Sequence, residues 1–517
     1  MQQVFTAHQT KEYEGHLMKS AGVPSLLLME HAAEAIVSAV AAYSPKRVLT
    51  VSGYGNNGAD GLAASRLLKA EGIISDILLI GDRTHASSEW KVQWDICKAA
   101  EIDFYTSVDD IRVAGMSYDL IIDALLGIGS SRDLKDDHLL AVGMINRSKQ
   151  EHGAKVISVD IPTGLHPDTG RILGDAVKAD ETVTFFRLKS GLLLNKGRSF
   201  TGKISVVDPM PLSGIKQIFS IDVNGNEQDN ALILNSVDDN DLQQALERDK
   251  TGNKATFGKL LCICGCSTMP GACILNARAA LRAGVGMVKI LSDNNNRDLL
   301  ISDVPEAMFS SYNNIADVEL KSAIAWSDCI VTGCGLGTDP AAVDLFHRTL
   351  IIADRLSKSV VIDADGLNIL SKDISRLKGL GTTVVLTPHP GEWRRLFPEY
   401  GNGYNDPDTV RTLAREYKCI IAAKDATTVI SDGNEVFLNT SGNDGMATAG
   451  SGDVLAGIVG AFLASDNKDR AGLKTALAVY LHGAAGNEAS VNNGNVSLTA
   501  SSIIDELHTV ILSKCNS

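Results

Sequence analysis

RVLTVSGYGNNGADGLAASRLLKAEG, residues 47–72, reads as a strand, a tight turn and a helix in immediate succession. The opening RVLTVS is β-branched and apolar, and LAASRLLKAEG is helical in composition and spacing. Between them Gly53, Gly55 and Gly58 fit the pattern G-x-G-x-x-G. In this setting the pattern describes a turn that presents backbone N–H groups and a helix N-terminus to a phosphate. By itself the signal is weak, because a plain βα turn satisfies it too. Its neighbours sharpen it: Asn56 and Asn57 set two side-chain amides beside the turn, and Asp60 follows at the helix start.

The same alternation runs outward from this stretch. DILLIG (76–81), DLIIDALLG (119–127), AKVISVDIP (154–162), ETVTFF (181–186) and KISVVD (203–208) are further apolar runs with helical patterns between them. Continuous apolar strands separated by helices imply a parallel sheet covered on both faces, the α/β class. The texture then changes: SIDVNGNEQDN (220–230) and DDNDLQQALERDKTGN (238–253) are polar and acid-rich. A seam is expected near residue 215, with domains over 1–212 and 225–517 and a linker over 213–224. Alternation resumes in KLLCICG (259–265), GMVKILS (286–292), DCIVTGCG (328–335), SVVIDADG (359–366), TTVVLTP (382–388), CIIAAKD (419–425) and EVFLN (435–439). Both halves are α/β, but their motifs differ, so they are not repeats.

A net charge of −14 argues against nucleic-acid binding, which draws most of its affinity from basic residues on phosphates. Cys262, Cys264 and Cys266 alternate in one apolar run without a second ligand pair, so reduced core thiols are expected rather than a metal site. No stretch reaches the roughly 20 uncharged apolar residues of a membrane span. The best candidate, Val23 to Ala42, carries Glu30, His31 and Glu34 and reads as an amphipathic helix. The N-terminus lacks a signal pattern, so a cytoplasmic protein is expected.

Two later loops in the first half leave the same carboxyl edge as the glycine-rich turn. DALLGIGSSRD (123–133) follows a strand with Asp123, and VDIPTGLHPDTG (159–170) places Asp160, Pro162, Thr163 and Gly164 after another. Oxygen ligands from Asn57, Asp123 and Thr163 would suit a small cation such as potassium, leaving Asp160 as an acid/base. GYGNNGADGL, DALLGIG and VDIPTGL resemble the signatures of the NAD(P)H-hydrate epimerase domain, over roughly residues 1–212. The resemblance implies a Rossmann-like fold, a hydrated nicotinamide nucleotide as ligand and a bound potassium ion. It further implies nucleotide contacts from Asn56, Asn57, Gly58, Ala59 and Asp60 and from Gly127, Ile128, Gly129, Ser130, Ser131, Arg132 and Asp133. Potassium would sit on Asn57, Asp123 and Thr163, with Asp160 at the reacting ring. The family usually reads GNNGGDG, whereas Ala59 stands here in place of a glycine. An Ala there is strained if the position needs a positive φ. Thr163 keeps the hydroxyl of the more usual Ser. Lys189 resembles a lysine common near the end of this domain, with its role open.

In the second half NDGMATAGSGDVLAG (443–457) forms a glycine-rich turn at a helix that begins near Asp453. Unpaired N–H groups there would stabilise transferred phosphoryl charge while Asp453 takes a proton from a substrate hydroxyl. A simple N-cap is the bland alternative for Asp453. TPHPGEWRRL (387–396) brings His389 and Glu392, VTGCGLGTD (331–339) three glycines, and AAKDATTVI (422–430) Lys424 and two threonines. With PGACILNARAALRAGVG (270–286), these motifs resemble the ADP- or ATP-dependent NAD(P)H-hydrate dehydratase domain, over about 225–517. The resemblance implies a ribokinase-like α/β/α sandwich. It implies a hydrate pocket of Ala272, Gly335, His389 and Asp453, and an adenine nucleotide held by Lys424, Asp425, Ala426, Thr427, Thr428 and Gly452. Relatives commonly have Lys-Gly where Lys424-Asp425 stands, an unexpected carboxylate near phosphates.

The expected chemistry is metabolite repair. The second domain would phosphorylate the ring hydroxyl of hydrated NADH or NADPH from ADP (or ATP) with magnesium, and elimination would then restore the ring. The first domain would interconvert the R and S epimers. A homo-oligomer acting on small molecules is expected. The alternatives are a ribokinase-like small-molecule kinase with an N-terminal nucleotide-binding module, and a first domain without catalytic function.

Overall fold

The computed structural model describes residues 1–113, 117–210, 232–465 and 470–515. The chain forms two compact units, Gln3–Ala231 and Leu232–Ser517 with Met1–Gln2. The expected linker, 213–224, and both expected domain boundaries lie outside the described residues.

The strands of the first unit are β1 (Gln2–Phe5), β2 (Arg47–Ser52), β3 (Ile74–Leu79), β4 (Phe104–Tyr105), β5 (Leu120–Ala124), β6 (Lys155–Val159), β7 (Glu181–Phe185), β8 (Leu188–Lys189) and β9 (Lys203–Val207). Seven of them form one sheet in the order β4-β3-β2-β5-β6-β7-β9, with every pairing parallel. β1 and β8 make a separate parallel pairing that sets Phe5 opposite Lys189. Winding starts at β2, runs out to β4 and returns through β5. That reversal opens a crevice beyond the carboxyl ends of β2 and β5, where such sheets take ligands.

Both faces are covered, which is why these strands are apolar throughout instead of alternating. Val48, Ile122 and Ile157 pack with Ile36 and Leu62 on one face. Leu49, Val51, Ile121 and Val156 pack with Val142 and Ile145 on the other. The amphipathic helix expected over 23–42 is present as Ser25–Ala41, burying Ala33, Ile36, Val37 and Val40 at helical spacing.

The second unit contains β10 (Leu234–Ser236), β11 (Lys259–Ile263), β12 (Met287–Ser292), β13 (Met308–Ser311), β14 (Cys329–Thr332), β15 (Ser359–Ile362), β16 (Val384–Leu386), β17 (Ile420–Ala423), β18 (Thr428–Ser431) and β19 (Val436–Asn439). They run β13-β12-β11-β14-β15-β16-β17-β18-β19-β10. The pairings from β13 to β17 are parallel, whereas β17, β18 and β19 form an antiparallel meander. Winding reverses between β11 and β14, which again opens a ligand edge. Helices Pro270–Arg282, Ser451–Ala464, Ala471–Asn493 and Ala500–Cys515 share one core with Leu260, Cys262, Val331 and Val361. The intervening Leu261, Ile330 and Val360 are equally buried outside that core, so this sheet too is covered on both faces.

Each of the seven apolar runs of the second half contains a strand. β18 differs from expectation: Thr428, assigned to a nucleotide loop, begins an antiparallel strand. Of the three alternating cysteines, Cys262 and Cys264 are buried and Cys266 is half-buried. Only Cys262 lies within β11, which ends at Ile263. Among the described residues no helix is long and apolar enough to cross a membrane.

Candidate active sites

The turn after β2 is closed on itself. A Cβ on Gly53 would lie 2.1 Å from the Leu125 carbonyl oxygen, and one on Gly58 2.0 Å from that of Gly53. Helix Asn56–Ala70 begins with Gly55 as its N-cap, so Asn56 and Asn57 occupy the first turn and Asp60 lies one turn further in. Ala59 is fully buried inside this helix, and its N–H donates to the Gly55 carbonyl at 3.0 Å. Its backbone is not in the positive-φ region, so replacing a glycine here brings no strain.

Asp123, in β5, is fully buried. One carboxylate oxygen accepts from Ser158 Oγ and the Thr163 N–H, each at 2.8 Å, and the other from Thr163 Oγ1 at 2.6 Å. Burial raises its pKa, and the Thr163 and Ser158 hydrogen bonds oppose that rise. Thr163 Oγ1 also accepts from the Leu126 N–H at 3.0 Å. One residue on, a Cβ at Gly127 would lie 3.1 Å from the Asn57 side chain, whose buried amide nitrogen has no hydrogen-bond partner. The three expected potassium ligands thus adjoin along one short path, with an unsatisfied amide at its end. Because amide oxygen and nitrogen exchange by a simple flip, these residues fit a hard cation.

Beyond Gly127, the Ser130 N–H closes a turn onto the Gly127 carbonyl at 3.2 Å. Ile128 is half-buried, while Gly129, Ser131, Arg132 and Asp133 are exposed along the crevice loop.

Asp160 holds a left-handed backbone with φ 64°, an uncommon conformation for a residue with a side chain. Its Oδ1 accepts from Lys189 Nζ at 2.5 Å and from Thr184 Oγ1 at 3.0 Å. Lys189 is wholly buried and also donates to the Phe185 carbonyl at 2.7 Å. Two further carboxyls feel this pair. Burial pushes Glu14 up to about 7, with Asp160 adding to the shift and Lys189 opposing it. Asp60 is raised well above the carboxylate range by burial, then by Asp160 and Glu14. Sequence reading noticed Lys189 without a role and missed Glu14, which arrives on helix Ala7–Lys19.

In the second unit the helix carrying Asp453 spans Ser451–Ala464 and is capped by Gly450 in the left-handed region. Asp453 is the third helical residue and not the N-cap. Burial first, and then the charge of Asp363, pushes its carboxyl up to about 6. Asn276 Nδ2 donates to the Asp453 carbonyl at 3.1 Å. A Cβ on Gly452 would lie 3.3 Å from Asp363 Oδ2 and 3.4 Å from Lys424 Nζ. Lys424 Nζ donates to Asp363 Oδ1 at 2.9 Å. Burial opposes the charge on Lys424, but Asp363 and Glu392 outweigh it and raise the pKa.

His389 is the N-cap of helix Pro390–Leu396, accepting from the Gly391 N–H, while Glu392 accepts from the His389 N–H at 2.8 Å. Burial, then Lys424, lowers the His389 pKa, so the ring is neutral near pH 7. Burial pushes Glu392 up to about 7. A Cβ on Gly335 would lie 2.9 Å from that of Ala272, joining those two expected pocket residues. Asp425 and Ala426 are exposed and Thr427 and Thr428 buried. The carboxylate of Asp425 thus stands beside the Lys424–Asp363 pair in sequence but on the open side of the turn. Sequence reading assigned no role to Asp363 or Asn276.

A family model described as NAD(P)H-hydrate dehydratase matches residues 260–509, and one described as YjeF-related protein N-terminus matches residues 25–191. The chain is 32% identical over 511 residues to the bifunctional NAD(P)H-hydrate repair enzyme Nnr of Moorella thermoacetica, covering 95% of this chain and 93% of that one. It is 30% identical over 520 residues to the protein of the same name from Coxiella burnetii, covering 98% and 99%. Among solved structures, a ribokinase-like superfamily protein from Enterococcus faecalis aligns with a TM-score of 0.50 at 27% identity, over 55% of this chain and 97% of that chain.

Proposed function

The chain belongs to the family of bifunctional NAD(P)H-hydrate repair enzymes, and from that premise we propose how its residues divide the two reactions. It epimerises the R and S forms of hydrated NADH and NADPH and dehydrates the S form back to the reduced nucleotide. The unit Gln3–Ala231, matched by the YjeF-related model, carries the epimerase, and the ribokinase-like unit from Leu232 onward carries the dehydratase.

In the first unit the turn at Asn56 to Asp60 and the loop Gly127 to Asp133 bind the nucleotide. Potassium, held by Asn57, Asp123 and Thr163, would supply a fixed positive charge beside its phosphates. Asp160 moves a proton at the hydrated ring, and Lys189 keeps its carboxylate aimed. Glu14, poised near neutrality, is a proton reservoir within the same carboxyl cluster.

In the second unit Ala272, Gly335, His389 and Asp453 line the hydrate pocket. The observation that carries this reading is Asp453 in the first turn of a glycine-capped helix with a carboxyl near 6, matched to accepting a hydroxyl proton at neutral pH. Lys424, Thr427, Thr428 and Gly452 surround the phosphates of ADP or ATP, with Asp425 and Ala426 at the rim. Magnesium would arrive with those phosphates. Phosphorylation turns a poor leaving group into a good one, and elimination restores the ring.

The test is recovery of reduced-nicotinamide absorbance from a mixed-epimer NADH hydrate with ADP or ATP, magnesium and potassium. Complete recovery, faster than spontaneous epimerisation allows, is expected. Recovery that stalls at the share of one epimer would remove the epimerase reading. A stable phosphorylated product in place of released phosphate would replace the dehydratase with a small-molecule kinase.

A further inference from the structure

Two lysines are drawn in from solvent at the candidate sites, and they are held differently. Lys189 commits all three N–H bonds to protein acceptors. Lys424 commits one, to Asp363 Oδ1 at 2.9 Å, and its other two meet no acceptor among the described residues. The Asp363 side chain is 3% exposed and that of Lys424 19%, so water can satisfy little of what is left over. A shielded ammonium with unmade hydrogen bonds is costly unless a ligand completes it.

The pair stands against the first turn of helix Ser451–Ala464, since a Cβ on Gly452 would lie 3.3 Å from Asp363 Oδ2 and 3.4 Å from Lys424 Nζ. Backbone N–H groups at that end of a helix have no partner within it. Both main chains are pinned from elsewhere. The Lys424 N–H donates to the Pro388 carbonyl at 2.8 Å, and the Asp363 N–H to that of Thr332 at 3.2 Å. A Cβ on Gly333 would lie 2.1 Å from the Asp363 carbonyl oxygen, so the turns after β14 and β15 interlock. Ala364, the next residue, has φ 48° and ψ −117°, a left-handed backbone that favours glycine and is kept only where the surroundings impose it.

We propose that Asp363 is a positioning residue of the dehydratase: its carboxylate anchors Lys424 so that the two remaining N–H bonds of the ammonium meet the phosphoryl group in transfer from ADP or ATP. The proposal rests on the reading of Lys424 as a phosphate ligand.

The anchor answers a weakness of lysine, whose charge sits at the tip of a flexible four-carbon stem. Charge in the transition state spreads over the equatorial oxygens of the transferred group, and a donor displaced from them stabilises little. A carboxylate near phosphates would repel them, but contact with Lys424 neutralises this one. Glu392 does not share the task. Its Oε2 accepts from the His389 N–H at 2.8 Å and its Oε1 lies 3.4 Å from His389 Nε2, so it is occupied at the start of its own helix.

A double-mutant cycle on dehydratase kcat, with pure S hydrate at saturating ADP or ATP, tests the anchor. Lys424→Met should lower kcat by roughly 10²–10³-fold, the worth of one donor to developing charge. Asp363→Asn, which keeps the shape and removes the charge, should lower it by roughly 10²-fold through displacement of the lysine. The double variant should match Lys424→Met to within about twofold. Losses that multiply overturn the proposal, because Asp363 then acts independently of Lys424. An Asp363→Asn variant as fast as the parent overturns it too. Nucleotide affinity, read by isothermal titration, should fall less than kcat in Asp363→Asn, and an equal fall in both would mark general damage to the site and count against positioning.

A measurement on the parent covers an Asp363→Asn variant that does not fold. Proton–nitrogen correlation spectra of the lysine ammonium groups, with Lys424 identified by the signal lost in Lys424→Met, should show it slowly exchanging without nucleotide. That signal should shift when ADP and magnesium are added. A Lys424 signal missing without nucleotide, or unmoved by it, overturns the proposal. A Lys424→Met variant that turns over like the parent removes the phosphate reading itself, whereas a slow Lys424→Met beside a normal Asp363→Asn removes only the anchor.

Discussion

Lys189 donates to Asp160 at 2.5 Å with its own side chain completely shielded from solvent. All three of its N–H bonds have partners, Asp160, Thr184 and the Phe185 carbonyl. The ion pair therefore has full hydrogen-bond support, and removing one member strands the other. Lys189→Met and Asp160→Asn should each lower epimerisation by roughly 10²–10⁴-fold while S-hydrate dehydration continues. Chromatographic separation of the two hydrates over time checks this, and parallel loss of both activities would count against separate sites.

Potassium should act through the first unit. Exchanging it for tetramethylammonium, a far bulkier cation without coordination sites, should slow epimerisation several-fold. Asp123→Asn should abolish the dependence on the cation. An epimerisation rate indifferent to potassium in the parent would remove the ion from this site.

The dehydratase should lose rate as pH falls through about 6, where Asp453 takes up its proton. One proton is involved, so kcat should drop about tenfold per pH unit below that point. Glu392, near 7, is the other candidate for the limb. Glu392→Gln should leave the limb in place if Asp453 sets it, and a limb that disappears in this variant would reassign it.

Glu14 should cost stability at alkaline pH. Its folded pKa, about 7, lies above the ordinary glutamate value of 4.5, so the folded state binds the extra proton between those values. The penalty is absent below pH 4.5, grows as pH rises, and is complete above 7. Glu14→Gln should therefore stabilise the first unit at pH 8 by something on the order of 1 kcal/mol, with the gain vanishing near pH 5. Calorimetric melts at the two pH values decide it; equal gains at both would mean the effect is not titration.

Gly452→Ala should raise the KM for ADP or ATP. The added methyl would lie 3.3 Å from Asp363 Oδ2 and 3.4 Å from Lys424 Nζ, so the Asp363 carboxylate must shift by a few tenths of an ångström and the methyl takes up space beside the pair. Isothermal titration with the nucleotide alone separates this from any effect on hydrate binding.

The parts of both sites legible in the sequence are those written by local chemistry. Gly53, Gly58 and Gly450 mark turns that only glycine closes, and a run of buried β-branched residues such as VISV in β6 announces a strand with two covered faces. The β1, β4, β8, β10 and β13 strands escaped because two to four residues carry too little pattern to read. Asp363 looked like an ordinary strand end, since its importance comes from Lys424, 61 residues away. Glu14 sits on a helix with no motif at all, and only tertiary packing brings it beside Asp160. Ala59 shows the converse: a departure that looked costly in a motif is harmless once the position proves to be helix interior.

The β17–β18–β19 meander carries a consequence for how the second unit is built. Its three strands fall within residues 420–439, whereas partners such as β11 and β14 are joined only after the chain has travelled from residue 263 to 329. Closing a short loop costs less entropy than closing a long one, so neighbours in sequence meet first. During refolding the meander should gain amide protection before the β11–β14 centre, and pulse-labelled hydrogen exchange at Ile421–Ser431 and Leu260–Ile263 would show the order. Assembly that starts at the late-synthesised side leaves the sheet's middle open longest, and it is there, with Leu260, Ile263 and Ile330 uncovered, that a stalled chain would meet another copy of itself.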